Sequence, residues 1–360
     1  MQTQITAVPK LYIGMDIHKK SWSVHFRTDL FDHRGYTMPP EPKQLAEYVE
    51  GNFPNHEVYI TYESGCCGFS AARYFKNLDW HTVVVNAADI PKMNKQNYQK
   101  TDRIDCRNLS KQLQAGQLRA IHIPEESQDH LRSLVRHRNS IVRQLRQVKL
   151  QIKGMLLYLG IKIPVQYDNP NWSKEFQQWL KNIEWKNITA TYSMHSKLRI
   201  LEVLHTEYLN AANQLRSYCR KYYKKDYYLL KSIPGIGGYL AAALLGELGD
   251  IRRFENEKQF SSYIGMIPAM RNSGSSESTL GVTPRSKSLV RSYLIEAAWV
   301  TIRRDTEMQA YYRKHFGKNV KNVIVKVAHK LVKRIRSVIK NERPYTVNYT
   351  HQTQASLKLV

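Results

Sequence analysis

Residues 10–18 read KLYIGMDIH, an apolar run that closes on a carboxylate, Asp16. A run this short and this apolar predicts a buried strand, and SWSVHFRT (21–28) alternates as a following strand should. HEVYITYESG (56–65) repeats the form and ends in a second acid, Glu63, while HTVVVNA (81–87) supplies a further strand. Between them, CGFSAARYFKNL (67–78) reads as a helix. The N-terminal part of the chain is therefore expected to be α/β. Beyond Pro91 the sequence turns polar and basic, and DRIDCRNLSKQLQAG (102–116) reads as a helix closed by Gly116.

Within KTDRIDCRNLSKQL (100–113), Asp102 and Asp105 stand three apart and so share a helix face. Two like charges side by side are mildly unfavourable there unless something cationic lies between them. For such a pair taken alone, neutralisation by Arg103, Arg107 and Lys111 is the plain explanation.

The period changes after residue 130. Leu131, Leu134, Arg138, Ile141, Leu145, Val148, Ile152, Met155 and Leu159 step by threes and fours, a heptad seam that Pro164 and DNPNW (168–172) end. A second seam runs through Leu198, Leu201, His205, Tyr208, Ala212, Leu215, Cys219 and Tyr222. Two such helices fit either an antiparallel hairpin within one chain or pairing between chains. Arg138 and His205 at seam positions point to a looser or an intermolecular contact. The outer face, with Arg132, Arg136, Arg143, Arg146, Lys149 and Lys153, suits a solvated surface or a nucleic-acid rail, and the net charge of +25 favours the rail.

A third region opens with KSIPGIGGYLAAALLGELGD (231–250). Two helices joined by this turn would present the Gly235 and Gly237 amides at a helix N-terminus, where a phosphate can sit. That pattern resembles a helix-hairpin-helix, although a tight helical turn explains it equally well. AMRNSGSSESTLGVTPRSKS (269–288) reads as a Ser/Gly-rich polar loop, and helical patterns follow at 289–305 and 320–340.

Composition narrows the partners. Lys and Arg number 55 against 30 Asp and Glu, a formal charge of +25 spread along the chain, and such a field attracts polyanions. The sequence has no apolar run of about 18 residues that would span a membrane. MQTQITAVPK lacks the apolar core of a signal peptide. Cys66, Cys67, Cys106 and Cys219 form no CxxC pair or zinc spacing, which fits a reducing cytoplasm. Against that basic background, Asp16 and Glu63 end strands, at the sheet edge where function often sits. With Asp102 and Asp105 they make a four-acid set. Two-metal phosphoryl transfer needs three or four carboxylates around cations about 3.5–4 Å apart, and hard oxygen ligands select Mg²⁺ or Mn²⁺ over zinc.

YIGMDIHK, YESG and KTDRIDCRNLSK, in this order, resemble the acid signature of DEDD-type insertion-sequence transposases. IPGIGGYLAAALLGELGDIRRFENEKQFSSYIGMIP (233–268), followed by the Ser-Gly loop, resembles the C-terminal half of that family. The resemblance implies an RNase H/RuvC-like mixed α/β sheet domain at 1–125, a coiled-coil helical connector at 126–229, a mainly α-helical transposase domain with a helix-hairpin-helix at 230–345, and a tail at 346–360. It further implies that Asp16, Glu63, Asp102 and Asp105 hold Mg²⁺ or Mn²⁺, with Lys100, Arg103 and Arg107 toward the nucleic-acid backbone.

Ser273, which precedes Gly274, would be the nucleophile that forms a phosphoserine link to DNA. Ser275 and Ser276 are close competitors, and Arg271 beside them would stabilise charge on the phosphorane. Downstream the family usually shows Gly-Asn where this chain has Lys287-Ser288. Arg285, Lys287 and Arg291 nonetheless keep the basic character needed for phosphate contact. By the same resemblance the partners are double-stranded donor and target DNA, a non-coding guide (bridge) RNA and further copies of the chain, as a dimer or tetramer. The setting would be the bacterial cytoplasm, at the nucleoid. A metal-dependent Holliday-junction nuclease and a non-catalytic DNA- or RNA-binding protein are the competing expectations.

Overall fold

The computed structural model describes residues 8–90, 101–185, 188–273, 276–282, 287–315, 317 and 319–347. The chain divides into two compact units, residues 1–124 and 125–360.

The first unit runs β1 (Lys10–Ile17), β2 (Trp22–Thr28), β3 (Asp32–Met38), α1 (Pro42–Asn52), β4 (Glu57–Glu63), α2 (Ser70–Asn77), β5 (His81–Val85) and α3 (Asp102–Gln114). Its five strands form one sheet in the order β3-β2-β1-β4-β5. The β1–β2 and β2–β3 pairs are antiparallel, whereas β1–β4 and β4–β5 are parallel. This mixed sheet is consistent with an RNase H-type domain. The strands read from sequence are all present. DHRGYTM, the edge strand β3, went unread because its burial alternates between partial and full exposure and leaves no apolar pattern.

Side chains alternate across a strand, so β1 presents two different faces. Leu11, Ile13 and Met15 pack into a core with Phe26 of β2, Leu45 of α1 and Phe75 of α2, all fully buried. Gly14 and Asp16 belong to the opposite face, which α3 covers. A Cβ on Gly14 would lie 2.0 Å from the Cys106 carbonyl oxygen and 2.5 Å from the Ser110 nitrogen. The missing side chain is what lets the α3 backbone rest directly on the strand. Two polar ties fix the helix further. Buried His25 of β2 places Nδ1 2.8 Å from the Ser110 hydroxyl, and its Nε2 lies 3.1 Å from Asp32. Asp32 also accepts a 3.1 Å hydrogen bond from Arg107 Nε and pairs with Arg27 at 2.9 Å.

The second unit is mostly helical: α4 (Glu126–Tyr158), α5 (Lys174–Lys181), α6 (Ile188–Tyr222), α7 (Lys224–Lys231), α8 (Gly238–Leu248), α9 (Glu257–Ile264), β6 (Pro268–Ser273), β7 (Ser276–Val282), α10 (Ser288–Arg304), α11 (Thr306–Lys314) and α12 (Val320–Asn341). The long helices α4 and α6 pack on one another within the chain. At one end Val148, Ile152 and Leu156 meet Met194, Leu198 and Leu201, with Phe176 and Leu180 of α5 beside them. At the other, Leu131, Val135, Leu215 and Cys219 join the main core around α8 and α12. The heptad reading needs correction at its edges. His205, Leu159 and Tyr222 are exposed, and Val135 and Leu156 take buried places instead.

Helix α8 is buried from Leu240 to Leu248, as a helix apolar on all sides must be. The segment expected as a polar loop forms an antiparallel two-stranded ribbon, β6 with β7. Its residues are polar at successive positions, so no alternation marks them as strands. Among the described residues, no helix is long and apolar enough to cross a membrane.

Gly14→Ala should force α3 off the sheet and cost about 1–3 kcal/mol, the usual range for overpacking. Gly65→Ala, where an added Cβ meets nothing within 4 Å, should shift stability by less than about 0.5 kcal/mol. Urea unfolding midpoints separate the two; equal midpoints would contradict this packing.

Candidate active site

The close approach at Gly14 sets the geometry of the site. Asp16 follows two residues later on the same face of β1, one residue before the strand ends. The parallel register pairs Met15 with Tyr62, so the next residues, Asp16 and Glu63, end neighbouring strands side by side. Helix α3 starts above them. Thr101 caps it, its hydroxyl accepting from the Ile104 amide at 3.4 Å, and Asp102 and Asp105 occupy the first turn. Carboxylates there gain from the positive end of the helix dipole. Asp16, His18, Glu63, Asp102, Asp105 and Leu109 together line one cleft of about 210 Å³. The four acids expected from the sequence thus meet in one place.

The cleft is electrostatically tense. Partial burial pushes the Asp16 carboxyl above its usual range and Asp102 adds to the rise, while His18 works against it. His18 Nε2 lies 3.2 Å from Asp16 Oδ2 and 3.8 Å from Asp102 Oδ2. The ligating atoms of Asp16, His18 and Asp102 all fall within 4.8 Å of one another. A donor set dominated by carboxylates suits a hard divalent cation, and a half-buried acid crowded by like charge is what such a cation relieves. The residues therefore fit the metal that the four-acid pattern calls for. Sequence reasoning overlooked His18, although its signal is plain: Asp-x-His at the exit of a buried strand.

The remaining expected residues are more scattered. Lys100, Ser275 and Arg285 lie outside the described residues. Arg103 is exposed, whereas Arg107 turns to Asp32, so neutralising the Asp102–Asp105 pair is not what occupies it. Gly235 has φ +91°, and a Cβ there would lie 2.3 Å from Thr301 Oγ1 and 2.6 Å from the Ala297 carbonyl. Packing of the turn on α10 thus accounts for this glycine. Gly237 is exposed at the N-cap of α8 with open space beside it. Arg271 and Ser273 stand in β6, opposite Ser278 and Ser276 of β7. Lys287 precedes α10, 4.0 Å from buried Glu247, and Arg291 Nη1 donates to the Gly265 carbonyl at 3.4 Å.

Comparison with known proteins points the same way. The family model for IS110-type DEDD transposases, described as "Transposase", matches residues 13–160, and the model "Transposase IS116/IS110/IS902 family" matches residues 227–313. The y4qE protein of Sinorhizobium fredii is 27% identical over 293 residues, covering 81% of this chain and 71% of that protein. The transposase for insertion sequence element IS1111A of Coxiella burnetii is 24% identical over 298 residues, 81% and 78% of the two chains. The pilin gene-inverting protein of Moraxella bovis is 31% identical over 122 residues, 32% of this chain and 38% of that one.

Asp16→Asn and Asp102→Asn should each weaken Mn²⁺ binding at least about ten-fold, one lost charge-assisted ligand being worth more than about 1.4 kcal/mol. Asp250→Asn, in the other unit, should leave it unchanged. Titration followed by electron paramagnetic resonance measures this, and unaltered binding in both cleft variants would remove the metal site.

Proposed function

This chain belongs to the DEDD-type insertion-sequence transposase family, and on that premise we propose that it exchanges DNA strands under RNA guidance, using the Asp16–Glu63–Asp102–Asp105 cleft with divalent metal and Ser273 as nucleophile. The family makes it an insertion-sequence transposase, an enzyme that acts on DNA. The observation that carries the finer reading is the convergence of four acids, distant in sequence, on one cleft.

A bound Mg²⁺ would supply charge neutralisation and polarise a phosphoryl oxygen. The chain's own groups do the rest. Asp16 is positioned by the strand, Asp102 and Asp105 by the capped first turn of α3, and Glu63 by its register beside Asp16. In the proposed step the Ser273 oxygen attacks a DNA phosphorus, the Ser–O–P bond forms, and the P–O3′ bond breaks to leave a free 3′ hydroxyl. A serine hydroxyl is a weak nucleophile until its proton is removed. The 3′ hydroxyl of the exchanged strand then attacks phosphorus and releases the serine. The bond energy is kept in the phosphoserine link, so no nucleotide triphosphate is consumed. A RuvC-like identity for the sheet unit, a guide RNA, donor and target duplexes, and a dimer or tetramer belong to the same proposal. So does the division at residues 125, 229 and 345, with the second and third segments as coiled-coil connector and transposase domain.

A second reading, metal-dependent hydrolysis of DNA junctions, draws on the fact that all four acids lie within the first unit. Adduct trapping decides between the two. The protein, co-expressed with the RNA of its element, is given labelled DNA and Mg²⁺ and then denatured. The account predicts a covalent protein–DNA band that Ser273→Ala and Asp102→Asn each abolish. Nicked product without an adduct, unchanged in Ser273→Ala, would instead establish hydrolysis.

A further inference from the structure

Along α4 the second unit has two adjoining hollows of about 620 and 1030 Å³, which share Arg138, Val142, Arg146 and Leu150. They form one groove that follows the helix from Arg138 to Lys153, roughly 22 Å at the α-helical rise. We propose that this groove binds single-stranded nucleic acid, with Arg143, Arg146, Lys149 and Lys153 holding the backbone and Trp172 stacking a base. The proposal goes beyond the strand-exchange reading and does not depend on its chemistry.

Three observations carry it. The first is charge left over. Arg132 and Arg136, at the start of α4, are engaged by Asp129 and by buried Glu247. Farther along, among the described residues, no carboxylate lies within 4.0 Å of Arg143, Arg146, Lys149 or Lys153. Among the described residues that line the two hollows, the one carboxylate is Glu296; Glu247, in a neighbouring hollow, is held by Arg136. A row of cations without local counterions is complementary to a phosphate chain.

The second is the presence of aromatic faces among the cations. Trp172 lies 5.3 Å from the Lys149 ammonium, and Tyr208 and His205 line the same hollow. The guanidinium of Arg138 lies 4.7 and 3.7 Å from the ring centres of Tyr208 and Tyr239 and donates to the Tyr208 hydroxyl at 3.0 Å, which holds it as part of the groove floor. Third, that floor is apolar between the charges: Val142 and Leu145 line it, and Leu150 is 64% exposed. A duplex keeps its base faces stacked inside and would leave both the aromatic and the apolar surface unused. A single strand offers base faces as well as phosphates. Burial also depresses the proton affinity of Lys149, as expected of an ammonium short of water and of anionic partners.

The test uses the full chain with metal chelated, so that no chemistry intervenes. Fluorescence anisotropy compares oligo-dT and oligo-U strands of about ten nucleotides with a duplex of equal length. The expectation is tighter binding of one or both single strands than of the duplex. Arg146→Ala with Lys153→Ala should lower the salt slope for single strands by about 1.4, at ~0.7 per lost contact. Trp172→Ala should weaken single-strand binding about five- to 150-fold and leave duplex binding unchanged. Trp172 also touches the Phe176 cluster, so Trp172→Tyr, which keeps a stacking face, should restore most of the affinity. Preference for RNA or for DNA would name the source of the strand. Equal affinity for duplex and single strands, or a salt slope unmoved by the double variant, would overturn the assignment.

Discussion

The contact between Gly14 and the Cys106–Ser110 backbone is the constraint on which the acidic cleft depends. A helix laid over a sheet is normally held away by a layer of side chains, and the first turn of α3 would then stand clear of the strand ends. Removing one Cβ at the crossing lets the helix backbone touch the strand. The same step sets the height of Asp102 and Asp105 above Asp16. The rest of the unit defends that position. His25 reaches up to Ser110, Asp32 holds Arg107, and Cys106, Leu109 and Leu113 bury the underside of the helix. A position that looks like a minor detail of a strand, the glycine in YIGMD, therefore governs where the carboxylates lie.

Charge in this protein is sorted and not merely abundant. Several cations are consumed by acids: Arg136 binds buried Glu247 at 2.8 and 3.1 Å, Arg334 binds buried Asp305 at 2.6 Å, and Arg252 binds half-buried Asp226. Such pairs are costly to break from one side, because the remaining charge stays buried. The cleft acids are treated differently. They crowd together at a helix N-terminus, and the raised proton affinity of Asp16 records its own burial first and then the nearby charges of Asp102 and Asp105. Within a chain of net charge +25, that crowding makes sense as a preformed place for a cation near a polyanion.

Much of this could be read from the sequence, and the failures have physical causes. The inner strands β1 and β4 announce themselves by apolar runs, each with an acid at its close, and the edge strand β5 was legible from its Val83–Val85 run. The edge strand β3 and the β6–β7 ribbon were not, because polar residues at successive positions carry no period. The long helices showed their seams, but the exact knobs shifted where Arg138 and aromatic rings replace aliphatic packing. Gly235 looked like a phosphate cradle, and its close partner Thr301 lies 66 positions away in sequence, beyond local pattern reading. The Asp-x-His signal of His18 is local and legible, but its weight comes from Asp102, 84 positions on, which only the fold brings to it.

The measurement that tests the central claim most directly is anomalous diffraction from crystals soaked in Mn²⁺. The account predicts a manganese peak in the cleft, ligated by Asp16 and Asp102, with the Asp16 carboxylate drawn from His18 to the ion. A cleft without a peak at saturating Mn²⁺, with Asp16 still on His18 and manganese bound elsewhere, would contradict it.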